Sequence, residues 1–290
     1  MARIAVTGGS GKLGRAVVKD LLDHGHQVVN LDVAPGSDPR ALWTRADLSD
    51  FGQAVSVLTA VDDRYDKIDA VVHLAAIPAP GLLPNAATFH NNITVTYNVF
   101  AAARTAGIKT IVWASSETVL GLPFEDTPPP YLPADEDYPA RPNSSYSLAK
   151  HLEEQMAAQF CRWDPTLTMI GLRFSNVMEP ADYKTFPTYD TDPHQRSWNA
   201  WGYIDARDGA QAVRLSLAYG KPGVEVFVIA NADTVMTRPS TALAAEVFPD
   251  LPLKKDLTEH ETLLSIDKAR RLLGYTPEFS WRDAVGGTTD

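Results

Sequence analysis

Cysteine is almost absent from this sequence: Cys161 is the only one among 290 residues. A single thiol excludes an intrachain disulfide and favours a protein that works in a reducing compartment. Long hydrophobic runs are also missing, so no segment is predicted to span a bilayer. The first residues already read as a buried strand, and we therefore expect no signal peptide and a cytoplasmic location.

Positive charge is also scarce. The chain has 26 Lys and Arg against 36 Asp and Glu, which gives a formal net charge of −10 at pH 7. This excess of negative charge argues against nucleic acid and against an anionic membrane surface as partners. His, Cys and carboxylate residues do not cluster at the spacing of metal ligands, so we predict no metal site.

The first part of the chain alternates short apolar runs with segments of helical period. Such alternation is typical of a parallel sheet with helices on both faces, an α/β fold with right-handed crossovers. The predicted strands cover residues 3–7, 27–32, 43–46, 68–75, 109–115 and 167–174.

The second half of the chain is less regular, and residues 179–202 show no clear period. We predict a doubly wound parallel sheet formed by residues 1–177 plus 203–230. Residues 178–202 plus 231–290 are predicted to form a small C-terminal substrate-binding lobe, without a separate linker.

Residues 7–14 read TGGSGKLG, between the first predicted strand and the first predicted helix. Glycines at this spacing permit a tight turn, close approach of the backbone to a pyrophosphate, and close packing of helix on strand. The helix N-terminus offers N–H groups and the positive end of its dipole to the phosphates. The segment predicts a Rossmann-type dinucleotide site. We assign to it Gly8, Gly11, Lys12, Leu13 and Gly14.

Asp32 stands at the end of the second predicted strand. A carboxylate there accepts hydrogen bonds from an adenosine ribose diol and repels a 2′-phosphate, so the predicted cofactor is NAD. Lys12 is a mild counter-signal, because a cation in the turn could reach a 2′-phosphate, and NADP is the second choice. Asp47 and Leu48 follow the third strand and are placed to meet the adenine edge, although Asp47 could equally cap a helix.

Tyr146 and Lys150 form a Tyr-x-x-x-Lys pair in a predicted helix near residues 144–163. Positions i and i+4 share one face of a helix. A lysine ammonium one turn from a phenol stabilises the phenolate, which predicts a tyrosine that exchanges a proton near neutral pH. Together with a dinucleotide, the pair indicates hydride transfer coupled to proton transfer at a carbinol.

In their order along the chain these motifs resemble those of the extended short-chain dehydrogenase/reductase superfamily, the NAD-dependent epimerase/dehydratase group. One such motif could arise by chance, but eight in the expected order could not. The matching pieces are TGGSGKLG at residue 7, Asp32, ADL at 46, HLAA at 73, Asn92, SSETVLG at 115, YSLAK at 146 and RFSNV at 173.

The resemblance implies roles for individual residues. Tyr146 would be the general acid/base, and Lys150 would hold the nicotinamide ribose and lower the pKa of the phenol. Ser116 would orient the substrate oxygen, with Ser115 as its less favoured neighbour. The remaining contacts that the resemblance implies are Leu74, Ala75, Ala76, Asn92, Phe174 and Ser175 for the cofactor and Asn176 for the substrate.

One departure from the family bears on the substrate. Trp201 opens the stretch WGYIDARDGA, where members that bind nucleotide sugars often carry an arginine for the diphosphate. Arg196, Arg207 or Lys184 could compensate, but none of them occupies the family position. The departure favours a free sugar, a sugar acid or a similar polyhydroxy compound, with Trp201 and Arg207 as candidate substrate contacts. Aromatic residues between 183 and 203 could cap such a ring or simply pack the lobe.

Three functions stay open at this point. The first is a net NAD-dependent dehydrogenase acting on a sugar or sugar-derived carbinol. The second is a nucleotide-sugar epimerase, or less favourably a dehydratase, with tightly bound and recycled NAD. The third is a non-catalytic NAD-binding sensor, against which the Ser116, Tyr146 and Lys150 set argues. The resemblance also implies a homodimer paired through the helices near residues 92–106 and 145–163.

Overall fold

The structure, a computed structural model, describes residues 1–59, 64–124 and 128–286. Strands and helices alternate through most of the chain, and three 3₁₀ segments (117–120, 182–191 and 193–199) interrupt the later part. The elements are β1 (Arg3–Thr7), α1 (Lys12–Asp23), β2 (Gln27–Leu31), β3 (Leu42–Thr44), α2 (Phe51–Leu58), β4 (Ala70–His73), α3 (Asn85–Thr105), β5 (Thr110–Ser116), α4 (Ser145–Trp163), β6 (Thr168–Phe174), β7 (Val177–Met178), β8 (Ile204–Asp205), α5 (Ala206–Leu217), β9 (Gly223–Ile229), α6 (Ser240–Val247), α7 (Asp267–Leu273) and α8 (Trp281–Gly286).

Seven strands form one sheet in the order β3-β2-β1-β4-β5-β6-β9, and every neighbouring pair is parallel. The chain builds outward from β1 in one direction and then from β4 in the other. A crevice therefore opens at the carboxyl ends of the strands between β1 and β4. The predicted doubly wound α/β fold is confirmed.

Helices cover both faces of this sheet because the strands are apolar on both sides. On one face Val17 and Leu21 of α1 and Val213 of α5 pack in a continuous core with β1 and β6. On the other face Val99 of α3 and Phe160 of α4 share a second core with α2 and the same strands. The rigid sheet between the two cores fixes where each strand ends.

Residues 178–202 and 231–286, called the lobe below, follow β6 and β9. The 3₁₀ segments of the lobe and α6, α7 and α8 pack onto the same core as α1 and α5. A short parallel pair, β7 with β8, joins the lobe to the end of β6. The division at residues 178–202 plus 231–290 stays a prediction, and residues 287–290 lie outside those described. In the described part of the chain, no helix combines the length and the apolar character needed to cross a membrane.

Candidate active site

One cavity of about 890 Å³ lies along the carboxyl edge of the sheet. Residues that directly follow β1, β2, β4, β5 and β6 line it, as the crevice rule for open α/β sheets predicts. Most residues assigned from the sequence are therefore brought together. Those that line the cavity are Gly8, Gly11, Lys12, Leu13, Gly14, Asp32, Asp47, Leu48, Leu74, Ala75, Ala76, Ser115, Ser116, Tyr146, Lys150, Phe174, Ser175 and Asn176.

The glycine turn leaves no room for side chains at Gly8 and Gly14, where it passes close to other backbone atoms. Gly8 has a φ of +68°, and a Cβ there would lie 2.7 Å from the backbone nitrogen of Ala75. A Cβ on Gly14 would lie 2.1 Å from the carbonyl oxygen of Gly8. Gly11 caps α1 without any side chain, so the first N–H groups of the helix face the cavity. This arrangement can receive a pyrophosphate.

Asp32 is held rigidly at the edge of the same turn. Its Oδ2 accepts a hydrogen bond from the Ser10 N–H at 3.0 Å, and its Oδ1 accepts one from the Ala34 N–H at 3.0 Å. The carboxylate still lines the cavity and can accept hydrogen bonds from a diol. The cation of Lys12 forms an ion pair with Asp182 at 2.9 Å, which draws its charge toward the lobe.

Asp47 does not cap α2, which settles the alternative left open by the sequence. Asp50 is the N-cap of that helix and accepts a hydrogen bond from the Gln53 N–H. Asp47 instead binds the Ser49 backbone and hydroxyl at 3.0 and 2.7 Å. Both Asp47 and Leu48 line the cavity.

α4 places Tyr146 and Lys150 on the wall of the cavity. Ser144 starts the helix with a capping box, in which its hydroxyl accepts from the Ser147 N–H and the Ser147 hydroxyl accepts from the Ser144 N–H. The Lys150 Nζ donates to the carbonyl oxygen of Ala114 at 2.8 Å and to Glu153 Oε2 at 2.9 Å. Tyr146, Lys150 and Glu153 are all buried.

The electrostatic balance at Tyr146 differs from the expectation. Burial raises the pKa of the Tyr146 phenol, and the charge of Lys150 and the Ser116 hydroxyl lower it by a smaller amount. Lys150 thus acts in the predicted direction, but in the protein alone the pKa of the phenol lies above its usual value. A positive charge bound in the cavity would lower this pKa further.

The end of β5 carries two serines with separate partners. The Ser116 hydroxyl accepts hydrogen bonds from the backbone N–H and hydroxyl of Thr118, at 3.2 and 2.9 Å. Ser115 donates to Glu154 at 2.6 Å, and Glu154 forms a buried bidentate ion pair with Arg173. Ser115 is therefore committed to a structural network, whereas Ser116 faces the cavity next to the phenol.

Glu117 joins the floor of the cavity to the lobe. Its Oε2 accepts from the Ser175 hydroxyl at 2.6 Å, and its Oε1 accepts from the Asn199 side chain at 3.1 Å. Burial raises the pKa of Glu117 to about 7. Sequence reasoning did not assign this residue to the site, because its partners lie 58 and 82 residues away.

The structure does not bring two of the predicted substrate contacts, Trp201 and Arg207, to the cavity. Trp201 is fully buried with a φ of 57°; its indole N–H donates to the carbonyl oxygen of Pro193, and its ring packs on Phe248 in the lobe. Arg207 is held by Asp205 through two hydrogen bonds of 2.8 Å and lies over Phe279. Neither side chain lines the cavity.

Asn92 also differs from its predicted role as a cofactor contact. It is fully buried, and its side chain accepts from the Ile77 N–H at 2.8 Å and donates to the Ile77 carbonyl oxygen at 3.0 Å. It therefore shapes the loop after β4, while Asn91 and Ile77 reach the cavity. Of the aromatic residues between 183 and 203, Trp198 is the one that lines the cavity.

A model of the NAD dependent epimerase/dehydratase family matches residues 4–193. The chain belongs to this family. It is 32% identical over 183 residues to a UDP-glucose 4-epimerase of Bacillus subtilis (strain 168), a match that covers 60% of this chain and 52% of that protein. The chain thus spans about half the length of the curated relatives it matches.

Solved structures share the fold over nearly the whole chain. A crystal structure of UDP-galactose 4-epimerase superposes with a TM-score of 0.71 at 26% identity, covering 99% of this chain and 97% of that chain. A mutated uronate dehydrogenase superposes with a TM-score of 0.68 at 22% identity, covering 99% and 86%. Within the described residues, no three His, Cys, Asp or Glu side chains are grouped to hold a metal ion.

Proposed function

We propose that this protein is an NAD-dependent oxidoreductase that oxidises a carbinol of a sugar or sugar-derived substrate. One observation carries the proposal. Ser116, Tyr146 and Lys150 line the same cavity as the glycine turn and Asp32, so a proton-transfer group and a dinucleotide site share one space. A non-catalytic NAD-binding sensor would not need a proton-transfer group beside its dinucleotide site.

The residues present fit NAD. The tight turn at Gly8 and Gly14, which a Cβ would fill, brings the backbone and the α1 N-terminus toward the pyrophosphate. Asp32 would accept hydrogen bonds from the adenosine ribose diol, and Lys150 would hold the nicotinamide ribose. Other residues that would contact the cofactor are Gly11, Lys12, Leu13, Asp47, Leu48, Leu74, Ala75, Ala76, Phe174 and Ser175.

Three side chains carry the proton chemistry. When bound, NAD supplies the acceptor for a hydride from the carbinol carbon. The Tyr146 phenolate accepts the proton of the carbinol hydroxyl, and the Ser116 hydroxyl donates a hydrogen bond that fixes the same oxygen. The ammonium of Lys150 stabilises the phenolate that this requires. The product is the corresponding ketone or lactone.

The charges of the cavity favour a substrate without a diphosphate. Among the described residues that line it, Lys12 and Lys150 are the cations, and each is already paired, with Asp182 and Glu153 respectively. A diphosphate carries about two negative charges and needs a cation or a helix end. A free sugar or a sugar acid needs less positive charge, and Ser116 and Asn176 offer it polar contacts.

Calorimetric titration of the NAD-saturated protein with UDP tests this substrate class. We expect no heat of binding at millimolar UDP, because both cations among the described residues that line the cavity are already paired. Micromolar binding of UDP would overturn the proposed class and favour the second candidate function. That candidate is a nucleotide-sugar epimerase with recycled NAD, and the UDP-sugar epimerases among the relatives support it.

Replacing Asp32 should relax the choice between NAD and NADP. In Asp32→Ala the charged acceptor for the ribose diol is lost, so we expect NAD to bind on the order of 10-fold to 100-fold more weakly. NADP should bind better than to the wild type, because the repulsion of its 2′-phosphate is removed. Quenching of tryptophan fluorescence measures both dissociation constants. An unchanged ratio of the two dissociation constants would refute the role of Asp32 in binding the ribose. Asp32→Asn is the control, which checks that the change in affinity does not come from lost contacts within the turn.

We further propose a homodimer through α3 and α4. Four large apolar side chains are exposed on these two helices: Tyr97, Leu148, Leu152 and Trp163. Burial of such a surface against a second copy would stabilise the pair.

The cytoplasmic location stays a prediction.

A charge in this surface should separate the dimer. In Leu152→Glu an unpaired carboxylate would be buried at the interface, which costs about 3 kcal/mol or more and weakens association on the order of 100-fold. The molar mass measured by light scattering after size exclusion should fall from that of two chains to that of one chain. Leu272→Glu is the matched control, since Leu272 on α7 is equally exposed, at 37%. A wild type that elutes as a monomer would contradict the dimer.

A further inference from the structure

The search of the described residues outside the catalytic set leads to Glu153, which is fully buried directly behind Lys150. Its Oε2 accepts from the Lys150 Nζ at 2.9 Å, one helical turn further along α4. Within the described residues its other oxygen, Oε1, is buried without a hydrogen-bond partner. The Thr96 hydroxyl also lowers the pKa of this carboxyl, but Lys150, the lysine of the site, is its strongest partner.

We propose that Glu153 is a positioning residue that sets the pH range in which Tyr146 and Lys150 work. It holds the ammonium against the carbonyl oxygen of Ala114 and supplies the counter-charge that keeps a buried lysine protonated. The same negative charge also opposes the formation of a phenolate on Tyr146. This inference rests on the proposed function only for the step from protonation to turnover.

The negative charge of Glu153 raises the pKa of Lys150 and also the pKa of Tyr146. Burial lowers the pKa of Lys150, but the charge and hydrogen bond of Glu153, together with the charges of Tyr146 and Glu154, more than offset this, so the net pKa is raised. Glu153 also raises the pKa of Tyr146, against the effect of Lys150. Removal of the charge should therefore lower both pKa values.

Among the described residues, three other ionisable side chains face Tyr146 and Lys150, and they differ in charge. Glu154 forms an ion pair with Arg173, and its charge raises the pKa of Lys150 by less than the charge of Glu153 does. His73, behind Lys150 on β4, is uncharged near neutral pH because burial lowers its pKa to about 3. Glu117 also raises the pKa of Tyr146, and its own pKa is raised to about 7. Of the carboxylates, Glu153 is the one in direct contact with the ammonium.

The test is Glu153→Gln, which keeps the shape and removes the charge. The pH profile of kcat/KM should rise with the phenolate of Tyr146 and fall as Lys150 loses its proton. We expect both limbs to move to lower pH by about one unit or more. Unmoved limbs, or a rising limb displaced to higher pH, would overturn the proposal.

A readout without turnover separates this inference from the proposed function. Carbon-13 tyrosine NMR of the protein without cofactor, with the Tyr146 signal assigned by Tyr146→Phe, reports the pKa of the phenol directly. The pKa of the Tyr146 phenol should fall in Glu153→Gln even if the substrate is misassigned. An unchanged pKa would refute the proposal. Glu136→Gln is the control, because Glu136 binds the Val228 N–H away from the cavity and should move neither limb. If Glu153→Gln does not fold, Glu153→Asp decides with a smaller shift in the same direction.

Discussion

Tyr146→Phe should lower kcat by about 1,000-fold and leave the dissociation constant of NAD within about twofold, because general acid–base catalysis contributes on the order of 100-fold to 10,000-fold. The substitution removes one oxygen and keeps the buried ring, so the packing of α4 is retained. Steady-state turnover and a fluorescence titration with NAD measure the two quantities.

Tyr138→Phe provides the matched control for this change. Tyr138 is also buried, and within the part of the chain that the structure describes its hydroxyl has no hydrogen-bond partner. We expect that variant to keep wild-type turnover. If Tyr146→Phe retains activity within about tenfold of the wild type, Tyr146 is not the proton-transfer residue, whatever its position in the cavity.

Gly14→Ala should abolish measurable NAD binding and lower the melting temperature sharply. The new Cβ would lie 2.1 Å from the Gly8 carbonyl oxygen and 2.7 Å from the Gly9 Cα, and both of these are backbone atoms that cannot turn aside. The turn must open to relieve this contact, which costs on the order of 3 kcal/mol or more. Thermal unfolding by circular dichroism and the NAD titration together measure the effect.

Gly11→Ala isolates the steric cause within the same turn. A Cβ on Gly11 would meet only the Gly8 carbonyl oxygen, at 3.4 Å, which is an ordinary contact. Its melting temperature should therefore stay close to that of the wild type. Equal losses of stability in Gly11→Ala and Gly14→Ala would show that the close packing of α1 on β1 does not govern this turn.

The sheet could be predicted from the sequence because each strand is a short apolar run followed by a polar or glycine-rich turn. The carboxyl ends of parallel strands meet at one edge, so residues that follow β1, β2, β4, β5 and β6 come together there. The cavity lining contains the glycine turn, Asp32 and Ser116 at this edge, and Tyr146 and Lys150 of α4 complete it. Local pattern was sufficient for this half of the site.

The lobe could not be predicted in the same way because its contacts are long-range. Position in a family motif does not tell which way a side chain points, and Trp201 turns into the core from a left-handed backbone while Arg207 is held by Asp205. Glu117 stands next to Ser116 in the sequence, but its link to Asn199 of the lobe becomes visible only in three dimensions. Trp198 belonged to the predicted aromatic group, and no periodicity separated it from its buried neighbours.

The most direct test of net oxidation is the near-ultraviolet absorbance of NADH. Purified protein with added NAD would be mixed in turn with free sugars, sugar acids and nucleotide sugars. We predict that NADH accumulates with a free sugar or a sugar acid and continues to accumulate over many turnovers. A flat trace with every compound, from a protein that releases bound NAD only on denaturation, would contradict net oxidation and establish recycling of the cofactor.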